Sequence, residues 1–571
     1  MGEEISVENK EEKIDSPDIG ERRKEKIKEW LKERHNLMFM GILALGIVIR
    51  IYFFFLTKTQ ALWWDEADYL AYAKNLAGIG GWVISAKHNS LYSYLAAGIF
   101  KIGLGELTVK FLLQLIPSVL SIVLVYLICN GMYKDKRIGL VASFLMSVFW
   151  VSLFNTTRFQ IDVAGLFIGL LAIYVFWRGY ENKEKIFGKI DARWAIPLSA
   201  VLVVLAYSIR RGYFLFGLFI PLYVILTRNW KELLKDKYNW IGLVVGLILF
   251  FIVEKTIFIS QIGAVGESYF HQELPINFFP LQVFSSFFKF GSTPNIALFS
   301  LFWAGLVLLI GKLLLSFGHI KTNNETKADL FNIIVIVITL AFFVYVLRNP
   351  DGLGEPRWYF PLALSAFICI SRAGAFIMDY VKPYNKYAGV ILLVILIGSG
   401  GYYQYKLSDD LIKEKVNSFS GIRDASLLLK EISNKDDVIL TMGQPQVEYY
   451  SERKTVNAKV WVNASPDKEE HFYKSVDKMK EDENVRYILI SFSEPGYPLW
   501  MKNVEYSSDG KMTAWEIPFM GTKIDFITGE QKINKEGKYD NIIFKLVDVK
   551  QEVFVYEILR NSTVYNSNLS I

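Results

Sequence analysis

"LMFMGILALGIVIRIYFFFLTKTQALWWDEADYLAYAKNLA", residues 37–77, joins an apolar run to a loop dense in acids. Residues 37–57 are long enough to cross the hydrocarbon core of a bilayer, which takes about 17–25 residues as a helix. Asp65, Glu66 and Asp68 follow at once, between Trp63-Trp64 on one side and Tyr69 and Tyr72 on the other. If 65–75 is helical, Asp65, Tyr69 and Tyr72 stand i, i+4, i+7 and share one face, with Asp68 beside them. The tryptophans then hold that helix at headgroup level, where amphipathic rings prefer to sit. Such a segment is either an acidic surface loop that marks the non-cytoplasmic side or a reaction site. A carboxylate held against apolar surface becomes a better proton acceptor, which gives the second reading a mechanism.

Apolar runs of similar length recur at 109–129, 137–154, 160–177, 194–208, 212–226, 240–259, 294–315, 331–347, 358–377 and 387–402, about eleven spans in all. The runs 194–208 and 212–226 are short enough to be one broken hairpin. Over its 571 residues the chain is 52% hydrophobic, 15% aromatic and 21% charged. That is too apolar for one ordinary soluble domain and too charged to lie wholly in lipid. Cys129 and Cys369 both fall in apolar runs, so neither a disulfide framework nor a Cys-based metal site is expected.

The basic residues set the topology. A charged tail, 1–36, precedes the first span and is too long for the head of a cleavable signal. With that tail cytoplasmic, the connections beginning at Tyr133, Arg178, Arg228, His319 and Asp379 also face inward, and all carry Lys or Arg. An odd number of spans then places the interfacial loop 58–108 and everything from 404 to 571 outside. The expected organisation is therefore a polytopic α-helical membrane domain, 37–403, followed by an extracytoplasmic α/β domain. In the latter, "GIRDASLLLKEISN" and "DKEEHFYKSVDKMKED" read as helices leading into the strands "DVILTM" and "VRYILIS", and "NIIFKLVDVKQEVFVYEIL" reads as a hairpin. No phosphate-binding glycine fingerprint occurs there, and the sequons at Asn463 and Asn561 carry little information. Lys87, Arg158, Arg210, Arg211, Arg348 and Arg357 fall on the outer side, where loop cations are scarce, and call for another explanation.

At these residues the chain resembles the GT-C superfamily, particularly the branch with protein O-mannosyltransferases and the lipid A aminoarabinose transferase. "DEADYLAYAKNL" after the first span resembles that branch's Asp-Glu, then Tyr, signature. "KHNSLYSYLAAGIFKIGLGE", "RFQIDVAGLF", "SIRRGYFLFGLFIP" and "PRWYFPLALSA" resemble further elements in the same order, so that the resemblance covers roughly residues 37–377. His88-Asn89-Ser90 departs from the basic residue and Pro-Pro usual in relatives. The triplet Trp63-Trp64-Asp65 also resembles part of the oligosaccharyltransferase element, which in that family lies in the late soluble domain.

The resemblance implies an enzyme that takes a single sugar from a polyprenyl (dolichyl or undecaprenyl) phosphate and passes it to a glycan, lipid or protein acceptor on the outer face. A hydroxyl acceptor is a poor nucleophile near neutral pH, so inverting attack at the anomeric carbon needs a general base, worth roughly 10²–10⁴-fold. Asp65 is the expected base, with Glu66 beside it. The phosphate leaving group needs a cation, and arginine meets it with a planar fork of donors. Arg211 and Arg357 are the leading phosphate ligands, with Arg158 and His88 behind them. An interfacial arginine that only anchors headgroups is the competing reading for each. Asp162 is read either as a catalytic acid or as the structural partner of Arg158, one helical turn earlier. Asp68, Tyr69 and Tyr359 are expected to line the substrate pocket. Arg50 should face the bundle without an assignable role, and Glu254 and Lys255 could neutralise each other. Asp65 and Glu66 could also hold Mg²⁺ or Mn²⁺ as hard oxygen ligands, or act without a metal. No nucleic-acid partner is expected, and the location is the plasma membrane. Rival readings are an oligosaccharyltransferase-like enzyme and a lipid or glycan transporter, which should show repeated halves that are not found here.

Overall fold

The computed structural model describes residues 28–79, 90–258, 284–290, 293–320, 322–346, 355–385, 387–462, 467–492, 494–509 and 511–560. Most of the basic tail, Lys87, His88, Arg348 and the sequons at Asn463 and Asn561 lie outside these residues.

Among the described residues, nine helices are long and apolar enough to cross a membrane, or ten if the bent pair Lys136–Val148 and Trp150–Thr156 is one span. A shorter apolar helix, Arg211–Thr227, stands between Ala192–Ile209 and Lys237–Thr256. Each apolar run read from the sequence coincides with one of these elements, and the chain is built as an integral membrane protein. The two short runs are separate helices because the backbone is extended at Arg210, with φ −141° and ψ 119°.

The helices do not meet lipid equally. In the apolar window of Pro356–Val381, 89% of residues are buried, against 6% in Lys237–Thr256, so the former is central and the latter peripheral. Lipid tails remove the hydrophobic drive for helix association, which leaves close packing of small residues to supply it. Gly305 does this: a Cβ there would collide with the carbonyl of Cys369 on the neighbouring helix.

Phe149 leaves helical geometry, with ψ 115°, and bends the third span by 48°. The carbonyls of Met146 and Ser147, freed by that break, accept from Arg50 at 3.1 and 2.8 Å, while Arg50 Nε donates to Ser118 at 2.7 Å. Arg50 therefore does face the bundle, as a cap on a broken helix.

The last long helix, Ala388–Lys415, runs past the boundary expected at 403. Lys406 with Asp410 at 3.2 Å and Lys413 with Asp409 at 2.7 Å are i, i+4 pairs that support its polar turns. Beyond it, helices Ser420–Ile432, Gln444–Ser451 and Lys468–Glu481 pack with a six-stranded mixed sheet. Its order is Glu536–Tyr539, Ile542–Lys550, Val553–Arg560, Val485–Ser491, Val438–Thr441, Lys454–Asn457. The last three strands are parallel and the others antiparallel. The expected helix–strand alternation and terminal hairpin are present. A second, four-stranded antiparallel sheet, Asn503–Tyr506 to Gln531–Lys532, lies outside the expected elements; apart from Met512–Ile517 its strands are short and largely polar.

Candidate active site

Helix ends meet at one place. Asp65 and Glu66 occupy the first turn of Trp64–Leu76, Asp162 the first turn of Ile161–Phe176, Arg210 the extended link before Arg211–Phe214, and Arg357 the short turn Pro356–Leu362. Helix ends leave backbone groups and dipole charge unmatched, so charged side chains collect there.

Glu66 has a fixed structural duty. Its Oε2 accepts from the backbone N–H of Trp63 at 3.1 Å, closing the first turn, and its Oε1 pairs with Arg158 Nε. Arg158 also lies over the Trp63 ring, 3.1 Å from its centroid. Burial lowers the Arg158 pKa to about 10, so the guanidinium remains charged at neutral pH. Asp65 differs: its side chain is 37% exposed against 3% for Glu66, which makes it the acid open to a substrate.

Arg357 gathers the rest. Its guanidinium lies 3.4 Å from Asp65 and 3.6 Å from Asp162, and it donates to the Gln160 side chain. The Gln160 carbonyl accepts from Gln114 at 2.8 Å, and Gln114 projects from a π-helical turn, Phe111–Leu115, where one extra residue re-aims the side chains. Asp162 also pairs with Arg210, and its carbonyl accepts from Tyr213 at 2.7 Å. Gly165 makes that last contact feasible, since a Cβ would overlap the Tyr213 ring.

These groups surround a cavity of about 220 Å³ lined by Trp63, Trp64, Asp65, Arg158, Gln160 and Arg357, together with Phe154, Asn155, Glu355 and Phe419. Arg158 Nη1 and Nη2 are buried and have no hydrogen-bond partner among the described residues. A larger groove of about 600 Å³ runs between Ala195–Ile209, Arg211–Thr227 and Lys237–Thr256, but no charged side chain lines it. It holds none of the chemistry of the smaller cavity.

Of the residues singled out from the sequence, Asp65, Glu66, Arg158, Asp162 and Arg357 converge here. The Arg158–Asp162 pair, one of the two readings of Asp162, does not form. The helix starts only at Ile161, so the two are not one turn apart on a common helix, and each pairs elsewhere. Arg210, noted only as an outer-side cation, is a third arginine here, paired with Asp162 behind the cavity lining. Its neighbour Arg211 instead lies 3.6 Å from Glu254 and over the Phe258 ring. Glu254 is thus held by Arg211 and Tyr207. Asp68 and Tyr69 are buried behind the cavity rather than among its lining residues, and burial raises the Tyr69 pKa. Tyr359 packs with Phe343, Phe284 and Phe287. His88 lies outside the described residues.

Among the described residues, the donor set does not fit a divalent cation. Glu66 is occupied by Arg158 and a backbone N–H, Asp65 faces Arg357, and among the described residues no three His, Cys, Asp or Glu side chains come together.

Residues 87–253 match the family model of dolichyl-phosphate-mannose-protein mannosyltransferase. No curated protein matches the chain. Solved proteins similar in fold include the following. ArnT from Cupriavidus metallidurans, bound to undecaprenyl phosphate, has a TM-score of 0.56 at 13% identity, over 91% of this chain and 97% of that one. The oligosaccharyltransferase of Archaeoglobus fulgidus in the apo form has a TM-score of 0.56 at 13% identity, over 83% and 74%. The same archaeal protein, in complex with an inhibitory peptide and a dolichol-phosphate, scores 0.53 at 12% identity, over 85% and 74%. With its bundle of apolar helices, its lip of charged helix ends and its C-terminal sheets, the chain has the GT-C fold.

Proposed function

We propose that this protein is a glycosyltransferase that moves one sugar from a polyprenyl phosphate to a hydroxyl of a glycan, lipid or protein acceptor. The reaction takes place on the extracytoplasmic side of the plasma membrane, the side that also carries the C-terminal sheets. The observation that carries this reading is the convergence of a solvent-open carboxylate, Asp65, with the guanidinium groups of Arg357 and Arg158 on a single small cavity, which Glu355, a second open acid paired with Arg357, also lines.

In this reading the acceptor oxygen attacks the anomeric carbon and Asp65 takes its proton. The bond from that carbon to the phosphate oxygen breaks with inversion, and its electron pair leaves with the phosphate. Arg357 and the two buried, unpartnered Nη atoms of Arg158 receive the developing charge. Glu66 orients Arg158, and Asp162 orients Arg357 and Arg210. The base role needs no resident metal.

The undecaprenyl phosphate on ArnT and the dolichol-phosphate on the archaeal protein support a prenyl-phosphate donor. Purified protein given radiolabelled sugar on a prenyl phosphate should move label to an acceptor. No transfer across a panel of hexosyl and pentosyl donors would contradict the proposal.

A further inference from the structure

One wall of the cavity comes from the far end of the chain. Phe419 lies just beyond the last long helix and heads helix Ser420–Ile432, yet its ring lines the same cavity as Asp65 and Arg357. Its backbone is left-handed, with φ 63° and ψ 9°. An aromatic residue rarely adopts that conformation, and it persists only where the surroundings over-determine it. Here they do. The Phe419 ring meets Trp63 edge-on at 5.6 Å, and Trp63 in turn stacks under Arg158.

The flanking segments are tied together as well. Arg423 donates to the Thr59 carbonyl at 2.6 Å, Gln60 to the Lys415 carbonyl at 2.9 Å, and the Leu62 N–H to Tyr450 at 2.9 Å. Trp64 Nε1 donates to Glu494 at 2.7 Å. The chain on either side of Phe419 is therefore clamped onto the loop that carries Asp65. The cavity has a cationic part, Arg158 and Arg357, and an aromatic part, Trp63, Trp64, Phe154 and Phe419. Guanidinium groups suit a phosphate, whereas aromatic faces, negative at the ring centre, suit the C–H face of a sugar ring.

We propose that Phe419 is a specificity-determining residue that contacts the sugar of the donor, so that the C-terminal part of the chain completes the sugar subsite. This rests on reading the cavity as the sugar-phosphate site. The test measures binding of dolichyl phosphate, without sugar, and of its mannosyl, glucosyl and arabinosyl derivatives to the full chain in detergent. For the parent, at least one sugar-bearing form should bind more tightly than dolichyl phosphate. Phe419→Ala should bind dolichyl phosphate within about 2-fold of the parent and lose about 10-fold or more for the sugar-bearing form, the scale of a lost apolar contact. Phe419→Tyr should retain the preference. Phe419→Gly, suited to the left-handed backbone, removes the ring with the turn intact and should behave as Phe419→Ala. Equal loss for both ligands, no loss for either, or a parent without sugar preference would overturn the inference. Failure of the underlying site reading looks different: the parent would bind none of the four lipids, or Arg357→Ala would bind them all as the parent does.

Discussion

Asp65 and Asp162 hold the same guanidinium: Arg357 reaches the first at 3.4 Å and the second at 3.6 Å. The two acids differ in setting. Asp162 is fully buried and also engages Arg210, whereas Asp65 opens to the cavity. One buried carboxylate therefore fixes two arginines, while the exposed acids Asp65 and Glu355 meet Arg357 from the cavity side.

Asp162→Asn should destabilise the protein as well as weaken it as an enzyme. Removing one partner of a buried ion pair costs about 3–5 kcal/mol, because the remaining charge is left uncompensated. The half-life of heat inactivation in detergent should shorten, and donor affinity should fall with it. A variant as stable as the parent would mean that Arg210 and Arg357 are held by other groups.

Arg357→Ala and Arg211→Ala should separate. Arg357 lines the cavity, whereas Arg211 spends its charge on Glu254 and lies over Phe258. Donor affinity should drop about 10-fold or more in Arg357→Ala, the scale of a lost charge-assisted contact. In Arg211→Ala it should stay within about 3-fold of the parent, because Arg211 does not line the cavity and its partner is Glu254. Equal losses, measured by titration with a prenyl phosphate, would contradict this division.

Glu494 gives the clamp a pH dependence. Burial raises its pKa above the ordinary carboxylate value, so the folded state binds this proton more tightly than the unfolded chain. The stability it contributes is therefore fully present below about pH 4.5 and declines as pH rises through the raised value. Glu494→Gln keeps an acceptor for Trp64 and should flatten that decline, with a thermal midpoint at pH 7 equal to or above the parent's. Glu494→Ala leaves the indole N–H unpaired and should lower it. A steeper decline in Glu494→Gln would contradict the assignment.

Much of the bundle was legible because a membrane span is written in composition: every apolar run became a helix. The acidic helix and its tryptophans were equally plain, since Asp65 and Glu66 sit in its first turn. What the sequence did not contain was pairing across the fold. The pairing of Arg158 with Asp162, one of two readings for that acid, needs both on one helix, but a turn at 157–160 separates them. The choice of Arg211 over Arg210 failed to see the extended backbone at 210, which aims one arginine into the site and its neighbour toward Glu254. Phe419 was invisible to spacing arguments, because only tertiary docking brings residue 419 to Trp63.

Orientation is open to a direct check. With Cys129 and Cys369, both buried, replaced by Ser, single cysteines at Lys58, Thr528 and Lys382 should report the sides of the membrane. All three positions are exposed on the protein. A membrane-impermeant thiol reagent added outside intact cells should label the first two and spare the third. Labelling of Lys58→Cys without Thr528→Cys would break the shared-face topology.

The base role of Asp65 is the centre of the account, and turnover of Asp65→Asn tests it most directly. Asparagine keeps the size and much of the hydrogen bonding but cannot accept the proton. Turnover should fall by about 100-fold or more with donor binding largely retained, and a chelator should leave the parent unchanged. Glu66→Gln, which still caps the turn, should lose less. Turnover of Asp65→Asn within a few-fold of the parent would contradict the mechanism.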